Sequence, residues 1–185
     1  MGGSGPDYVQ GGTGGNNLLV GGTGAATLIG GGNGDELVAG ISSGQWLQAG
    51  VGNETLLGGF GSDTFYGGGA GSSTQIFGGE GNDTFVSAGG TATVTAGSAS
   101  NLFAFVKSNP GGSELVNGFI SGLDQIGLQD FGKGEIGRAL ASQQTANGSD
   151  TITLSDNTTV TFVGVSKLTT NDFIALPSKT TTTTT

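Results

Sequence analysis

The residues best suited to chemistry are acidic side chains in glycine-rich segments. Asp63 and Asp83 occupy the same position of two similar nonapeptides, GGFGSDTFY and GGEGNDTFV, and Glu36 and Glu54 occupy the corresponding position of two others. The chain has 14 acidic residues against 5 basic ones and a net charge of −9. This charge makes cations the natural partners and argues against nucleic acid and anionic membrane surfaces.

Other chemistries find little support in the composition. The chain has no Cys and no His, which excludes disulfides, zinc sites, thiol catalysis and imidazole catalysis. A second acidic group, Asp124, Asp130 and Glu135, is better explained as solvated loop residues than as a catalytic cluster. We therefore predict a non-enzymatic protein with no catalytic residues and no organic cofactor. No apolar run is long enough for a membrane helix, and the first residues do not resemble a secretory signal.

The glycines belong to a repeat of about nine residues that begins at Gly2. Its eighth position is apolar in all eleven units, at Val9, Leu18, Leu28, Val38, Leu47, Leu56, Phe65, Ile76, Phe85, Val94 and Phe103. One large apolar side chain per unit can point inward from a short strand, while the glycines turn the chain. A flexible Gly-rich linker is the alternative, but linkers carry no phased apolar residues.

Two nonapeptides make one coil of a parallel β-solenoid, whose coils stack their apolar residues into a thin core. We predict an all-β protein, a parallel β-roll or β-solenoid of nonapeptide repeats followed by a small, mostly β C-terminal cap. The basic residues all lie beyond residue 104, whereas 31 of the 41 glycines lie at or before it. The predicted domains are therefore 1–104 for the roll, 105–176 for the cap and 177–185 for a Thr-rich tail.

Residues 2–104 resemble the β-roll of the RTX (repeat-in-toxin, haemolysin-type) family, and the two intact nonapeptides carry the resemblance. The resemblance implies that sixth-position carboxylates, with glycine-turn carbonyls, bind Ca²⁺ between turns that are two units apart. In this chain the sixth position is occupied by Asp7, Asn16, Ala26, Glu36, Gln45, Glu54, Asp63, Asp83, Ala92 and Asn101, with an irregular stretch at Ser72 and Ser73.

Most units depart from the calcium-binding pattern. Only Asp63 with Asp83, and Glu36 with Glu54, place carboxylates two units apart on one edge, whereas Asp7 faces Ala26. We predict about zero to two calcium sites, with these four residues as the metal ligands. The alternative is that the carboxylates bind amides of their own turns. Fewer carboxylates also mean less like-charge repulsion, so the roll is expected to fold largely without calcium.

Beyond residue 104 the pattern changes. DTITLS (150–155) and TTVTFV (158–163) alternate around Asp156 and Asn157 and predict a hairpin. Residues 134–144 have helical spacing, and Asn171 or Asp172 is a candidate N-cap for a last helical turn within 168–176.

The stretch VNGFISGLDQIGLQDF (116–131), the hairpin and LTTNDFIAL (168–176) are similar to the C-terminal segment of type I secretion substrates. The resemblance implies a cap that carries an uncleaved export signal, and hence a bacterial, extracellular or cell-surface protein exported without an N-terminal signal peptide. The alternative is a folding cap alone.

The leading functional hypothesis is a secreted structural protein that assembles head to tail with copies of itself into a filament, matrix or surface layer. Open solenoid ends template such contacts. The runner-up is a calcium-binding secretion or folding module of a larger exported protein or enzyme. Ice binding is a distant third hypothesis, suggested by seventh-position threonines at Thr27, Thr55, Thr64, Thr84 and Thr93 but interrupted by Leu37, Trp46 and Gln75.

Overall fold

A computed structural model describes residues 1–41, 44–107 and 111–178. An eight-stranded first sheet contains β1 (Asp7–Gln10), β3 (Ala26–Ile29), β5 (Trp46–Gln48), β7 (Thr64–Tyr66), β9 (Thr84–Val86), β11 (Leu102–Val106), β13 (Gln125–Gln129) and β17 (Phe173–Ala175). A nine-stranded second sheet contains β2 (Leu18–Val20), β4 (Glu36–Val38), β6 (Asn53–Leu57), β8 (Ser73–Phe77), β10 (Thr91–Thr95), β12 (Ser113–Asn117), β14 (Gln144–Ala146), β15 (Ser149–Thr153) and β16 (Thr159–Val163).

Successive nonapeptides alternate between the two sheets, and each strand pairs in parallel with the strand one coil later. The result is a parallel β-solenoid of about six turns with a small mixed sheet at its C-terminal end, which confirms the predicted fold class. Glycines make the sharp turns between sheets, and Gly61 and Gly81 adopt φ values of 100° and 111°. Other residues reach these values only at a cost.

The core is a thin double column of eighth-position side chains. Phe65, Phe85 and Phe103 stack in the first sheet, with ring centroids 5.3 and 5.0 Å apart. Leu56 and Ile76 in the second sheet are equally buried. Most of the predicted core positions are therefore confirmed.

Two predicted core positions are wrong by one residue. Leu18 is 63% exposed and Leu19 is buried in its place, and Leu37 rather than Val38 is completely buried. Each error falls where two apolar residues are adjacent, so that either could be assigned to the eighth position. Stacking decides between them, because Leu19, Leu37 and Leu56 are register partners in neighbouring strands.

The C-terminal part confirms two predicted elements and corrects a third. β15 and β16 form the predicted antiparallel hairpin, and α1 (Glu135–Ala141) lies within the predicted helical segment. The predicted N-cap at Asn171 or Asp172 is wrong, because Thr169 caps a short 3₁₀ turn at Thr170–Asp172 and the following residues form β17. Asp172 is instead the third residue of a capping box with Thr169.

The predicted domain boundary at residue 104 falls within β11, and parallel pairing continues from β11 to β13 and β17. The three predicted ranges stay predictions. The Thr-rich segment from residue 179 onward lies outside the described residues. Within the described ranges, no helix has the length and apolar character needed to cross a membrane.

Candidate metal-binding edge

The sixth residues of the first-sheet units form a continuous hydrogen-bonded ladder along one side of the roll, which we call the first edge. In each step a backbone N–H donates to the side-chain oxygen of the residue one coil later. The ladder residues are Ala26, Gln45, Asp63, Asp83, Asn101 and Asp124, joined by bonds of 3.0, 3.0, 2.9, 3.0 and 2.7 Å. Asp, Asn and Gln are interchangeable in this role, because each provides a carbonyl-type acceptor.

Asp63 and Asp83 are neighbours in this ladder and are almost completely buried. The Oδ1 atom of each accepts a ladder bond, while the Oδ2 atom of each is buried without a hydrogen-bond partner. Burial raises the pKa of Asp63 to about 6, and burial together with the charge of Asp63 raises the pKa of Asp83 to about 7. An unpartnered buried carboxylate oxygen is costly unless a proton or a cation satisfies it.

This arrangement fits a hard divalent cation. Two carboxylates one coil apart each offer a free oxygen of the type that Ca²⁺ prefers. Within the described ranges, no group of three or more acidic side chains could hold a metal ion. Calcium takes about six to eight oxygen ligands, so Asp63 and Asp83 would be its charged ligands and carbonyl groups or water would supply the rest. Bound there, the ion would neutralise both carboxylates and link two coils.

The glycine that opens the Asp83 unit lies against the Asp83 carboxylate. A Cβ atom added to Gly78 would lie 2.7 Å from Asp83 Oδ2 and 2.9 Å from the ring of Phe85. The carboxylate therefore folds back over its own turn, which leaves no room for a side chain at residue 78.

The opposite side of the roll, the second edge, is built from the second-sheet units and uses its acidic residues differently. Asp35 accepts bonds from the backbone of Gly31 and Gly32 and from both nitrogens of Asn17, at 2.8 to 3.1 Å. Burial alone would raise the pKa of Asp35, but these bonds outweigh it and lower the pKa. Asp35 is thus engaged with its own turn.

The predicted pairing of Glu36 with Glu54 is wrong in register. Glu36 lies opposite Thr55 and is exposed, so Asp35 is the residue opposite Glu54. Glu54 is buried, accepts a 2.7 Å bond from Gly50 N–H and keeps Oε1 without a partner. Burial raises the pKa of Glu54 to about 7. Whether Asp63, Asp83, Glu36 and Glu54 bind metal stays a prediction.

Three further acidic residues have defined positions in the roll. Asp7 lies opposite Ala26, as predicted, and accepts a bond from Gly3 N–H. The prediction that Asp124 is a solvated loop residue is wrong, because Asp124 is buried, ends the ladder and accepts 2.7 Å bonds from Asn101 and Ile120. Glu114, which the sequence pattern did not single out, is buried on the second edge, and burial raises its pKa to about 7. Both lie beyond the regular repeat, and only the alternating strands that follow them could have signalled their positions.

The second acidic group and the seventh-position threonines that the sequence singled out lie in different parts of the fold. Asp124 belongs to the ladder, whereas Glu135 begins α1 and accepts a 2.7 Å bond from Ser155 N–H. The seventh-position threonines are divided between the sheets, with Thr55 and Thr93 on the second sheet and the other three on the first.

Comparison with known proteins identifies the repeat. Residues 1–14, 46–70 and 75–94 match the model of the RTX calcium-binding nonapeptide repeat in four copies. The matched segments include Asp63 and Asp83 and leave out Glu36. No match was found among curated proteins. The chain thus contains RTX repeats of a calcium-binding family, and these repeats form a β-solenoid.

Proposed function

We propose that this RTX β-roll is a secreted, non-enzymatic structural module that calcium supports at a single position, Asp63 with Asp83. One observation carries the proposal: these two buried carboxylates are adjacent in the first-edge ladder, and each keeps one oxygen without a hydrogen-bond partner. RTX proteins are typically secreted, and export is proposed for this chain on that basis.

Calcium supports the fold here without being required for it. The ladder steps on either side use amide groups, at Gln45 and Asn101, which accept the same backbone bond without a charge. The coils also share a continuous apolar core. The expected phenotype is therefore a roll that keeps its β structure in chelator and gains stability when calcium is added.

Calorimetric titration with CaCl₂ tests this proposal, with far-UV circular dichroism recorded in parallel. We expect about one strong site for the parent, lost in Asp63→Asn/Asp83→Asn and kept in the matched control Glu36→Gln. No calcium binding by the parent, or unchanged binding by the double variant, would overturn the assignment of the site. Loss of all β signal in chelator would overturn the supporting role, since it would make calcium a requirement for folding.

We propose self-association as a second function, supported by exposed apolar side chains on β1 and β2, the first strands of the two sheets. These strands end the two sheets, and each has one side without a neighbouring strand among the described residues. Tyr8 is 66% exposed on β1, and Leu18 is exposed on β2. A coil of a second copy could add to both edges at once and extend the solenoid.

Light scattering over a range of concentrations tests this second function. Leu18→Lys places a charge on the open edge and should abolish association, whereas Val51→Lys at an exposed turn should not. A parent that stays monomeric with and without calcium would refute assembly. It would favour the alternative of a calcium-binding secretion or folding module within a larger exported protein.

A further inference from the structure

The outer face of the first sheet carries no charged side chain across β1 to β9. Its outward positions are the residues flanking each buried eighth position: Tyr8, Gln10, Thr27, Ile29, Trp46, Gln48, Thr64, Tyr66, Thr84 and Val86. In a chain of net charge −9, such a neutral surface does not attract cationic partners and offers no cation to anionic ones.

Within this face, one pattern occurs twice. Tyr8-Val9-Gln10 on β1 and Trp46-Leu47-Gln48 on β5 each present an aromatic ring and a carboxamide on the same side of a strand. Tyr8 is in register with Thr27, and Thr27 is in register with Trp46. The two motifs therefore lie two strands apart, a distance of roughly 9 to 10 Å.

The aromatic groups are accessible and supported from the side. Trp46 stacks on Tyr66 with ring centroids 4.3 Å apart, and Trp46 is still 38% exposed. Cross-strand stacking stabilises a sheet by itself. That effect does not account for Tyr8, which is exposed and has no ring partner among the described residues. It also does not account for the glutamine that accompanies each ring.

We propose that this face binds an uncharged, extended β-linked polysaccharide. Pyranose rings present C–H groups that pack on aromatic faces, and their hydroxyl groups match the donor and acceptor atoms of Gln10 and Gln48. In an extended β-linked chain, alternate sugars present the same face at intervals of one disaccharide, which is comparable to two strand spacings. The lack of charge on this face selects a neutral glycan over a polyuronate.

Trp46 is the only tryptophan of the chain, so its fluorescence reports directly on the proposed surface. We expect a saturable change in emission with cellohexaose, and none with an oligogalacturonate of the same length. Calorimetry then compares the variants. Trp46→Ala should weaken cellohexaose binding by about tenfold or more and Tyr8→Ala by about threefold to tenfold.

Phe77→Ala is the matched control, because it removes an aromatic side chain of similar exposure from the second sheet. It should bind cellohexaose as tightly as the parent does.

Circular dichroism checks that each variant is folded. If Trp46→Ala is unfolded, Tyr8→Ala becomes the variant that tests the proposal. Absence of cellohexaose binding, equal binding of the polyuronate, or full binding by folded Trp46→Ala and Tyr8→Ala would overturn the proposal. So would Trp46-dependent self-association in place of glycan binding. These results are independent of calcium, so they do not bear on the metal site.

Discussion

The two edges of the roll are made from the same nonapeptide and differ in what the sixth residue binds. On the first edge, Gln45, Asp63 and Asp83 accept a bond from the neighbouring coil. On the second edge, Asp35 also accepts two bonds from its own turn, and Ala92 accepts none because it has no polar side chain. An acidic residue at this position is therefore available to a cation only where its turn leaves an oxygen without a hydrogen bond.

The largest effect is expected in the core that both edges share. Phe85→Ala removes the ring that stacks on both Phe65 and Phe103, and it should cost roughly 3 to 5 kcal/mol of unfolding free energy. Phe65→Ala should cost a similar amount. Urea denaturation measures both, with Thr64→Ala as the outward-facing control. Equal losses for Phe65→Ala and Thr64→Ala would contradict the inward assignment of the eighth position.

The ladder itself can be broken without touching the core. Asp83→Ala removes the acceptor of Asp63 N–H, and an unsatisfied buried donor costs roughly 1 to 3 kcal/mol. Asp83→Asn keeps the oxygen and should be close to the parent in calcium-free buffer. Denaturation in chelator distinguishes the two variants. If Asn were as damaging as Ala, the charge of Asp83 and not its ladder bond would be the stabilising feature.

Individual carboxylates of the roll should also respond to pH in opposite directions, according to how many hydrogen bonds each one accepts. Burial places the folded pKa of Asp63 near 6 and that of Asp83 near 7, above the usual value of 3.8, so the folded state holds more protons between pH 4 and 7. In chelator their contribution to stability is therefore complete below about pH 4 and is lost as the pH rises toward 7. Asp35 has a lowered pKa, so its contribution is lost as the pH falls below 3.8.

Thermal unfolding in chelator from pH 3 to 8 checks these signs. Asp63→Asn/Asp83→Asn should make the decline between pH 4 and 7 shallower without removing it, because burial also raises the pKa of Glu54 and Glu114 to about 7. Asp35→Asn should flatten only the acid limb. A parent that gains stability as the pH rises from 5 to 7 would show that other groups control this range.

The smallest effect tests the corrected register. Glu36 is exposed, so Glu36→Gln should change the unfolding free energy by no more than about 0.5 kcal/mol. Asp35→Asn beside it loses charge-assisted bonds and should cost about 1 to 2 kcal/mol. Urea denaturation of the pair measures the difference. The reverse order would restore the register predicted from sequence.

Much of the first edge and core could be predicted from sequence, because Asp63 and Asp83 lie in intact repeats whose glycines and aspartate fix the position of the eighth residue. Prediction fails where two residues compete for one position. Asp35 and Glu36 are adjacent acids, Leu18 and Leu19 are adjacent leucines, and only stacking against the next coil separates them. The role of Asp172 as a capping-box residue was missed because the chain beyond the repeat has no period that fixes its register.

The alternation of strands between two sheets also limits how a gene of this kind can change in length. Each nonapeptide passes the chain to the opposite sheet. Deletion or duplication of a single nonapeptide would send every later strand to the wrong sheet, and a change between Asp63 and Asp83 would place these two residues on opposite edges. A pair of nonapeptides can be gained or lost without this exchange. The heritable unit of growth in this protein is therefore the coil, and recombination between genes should add or remove nonapeptides in pairs.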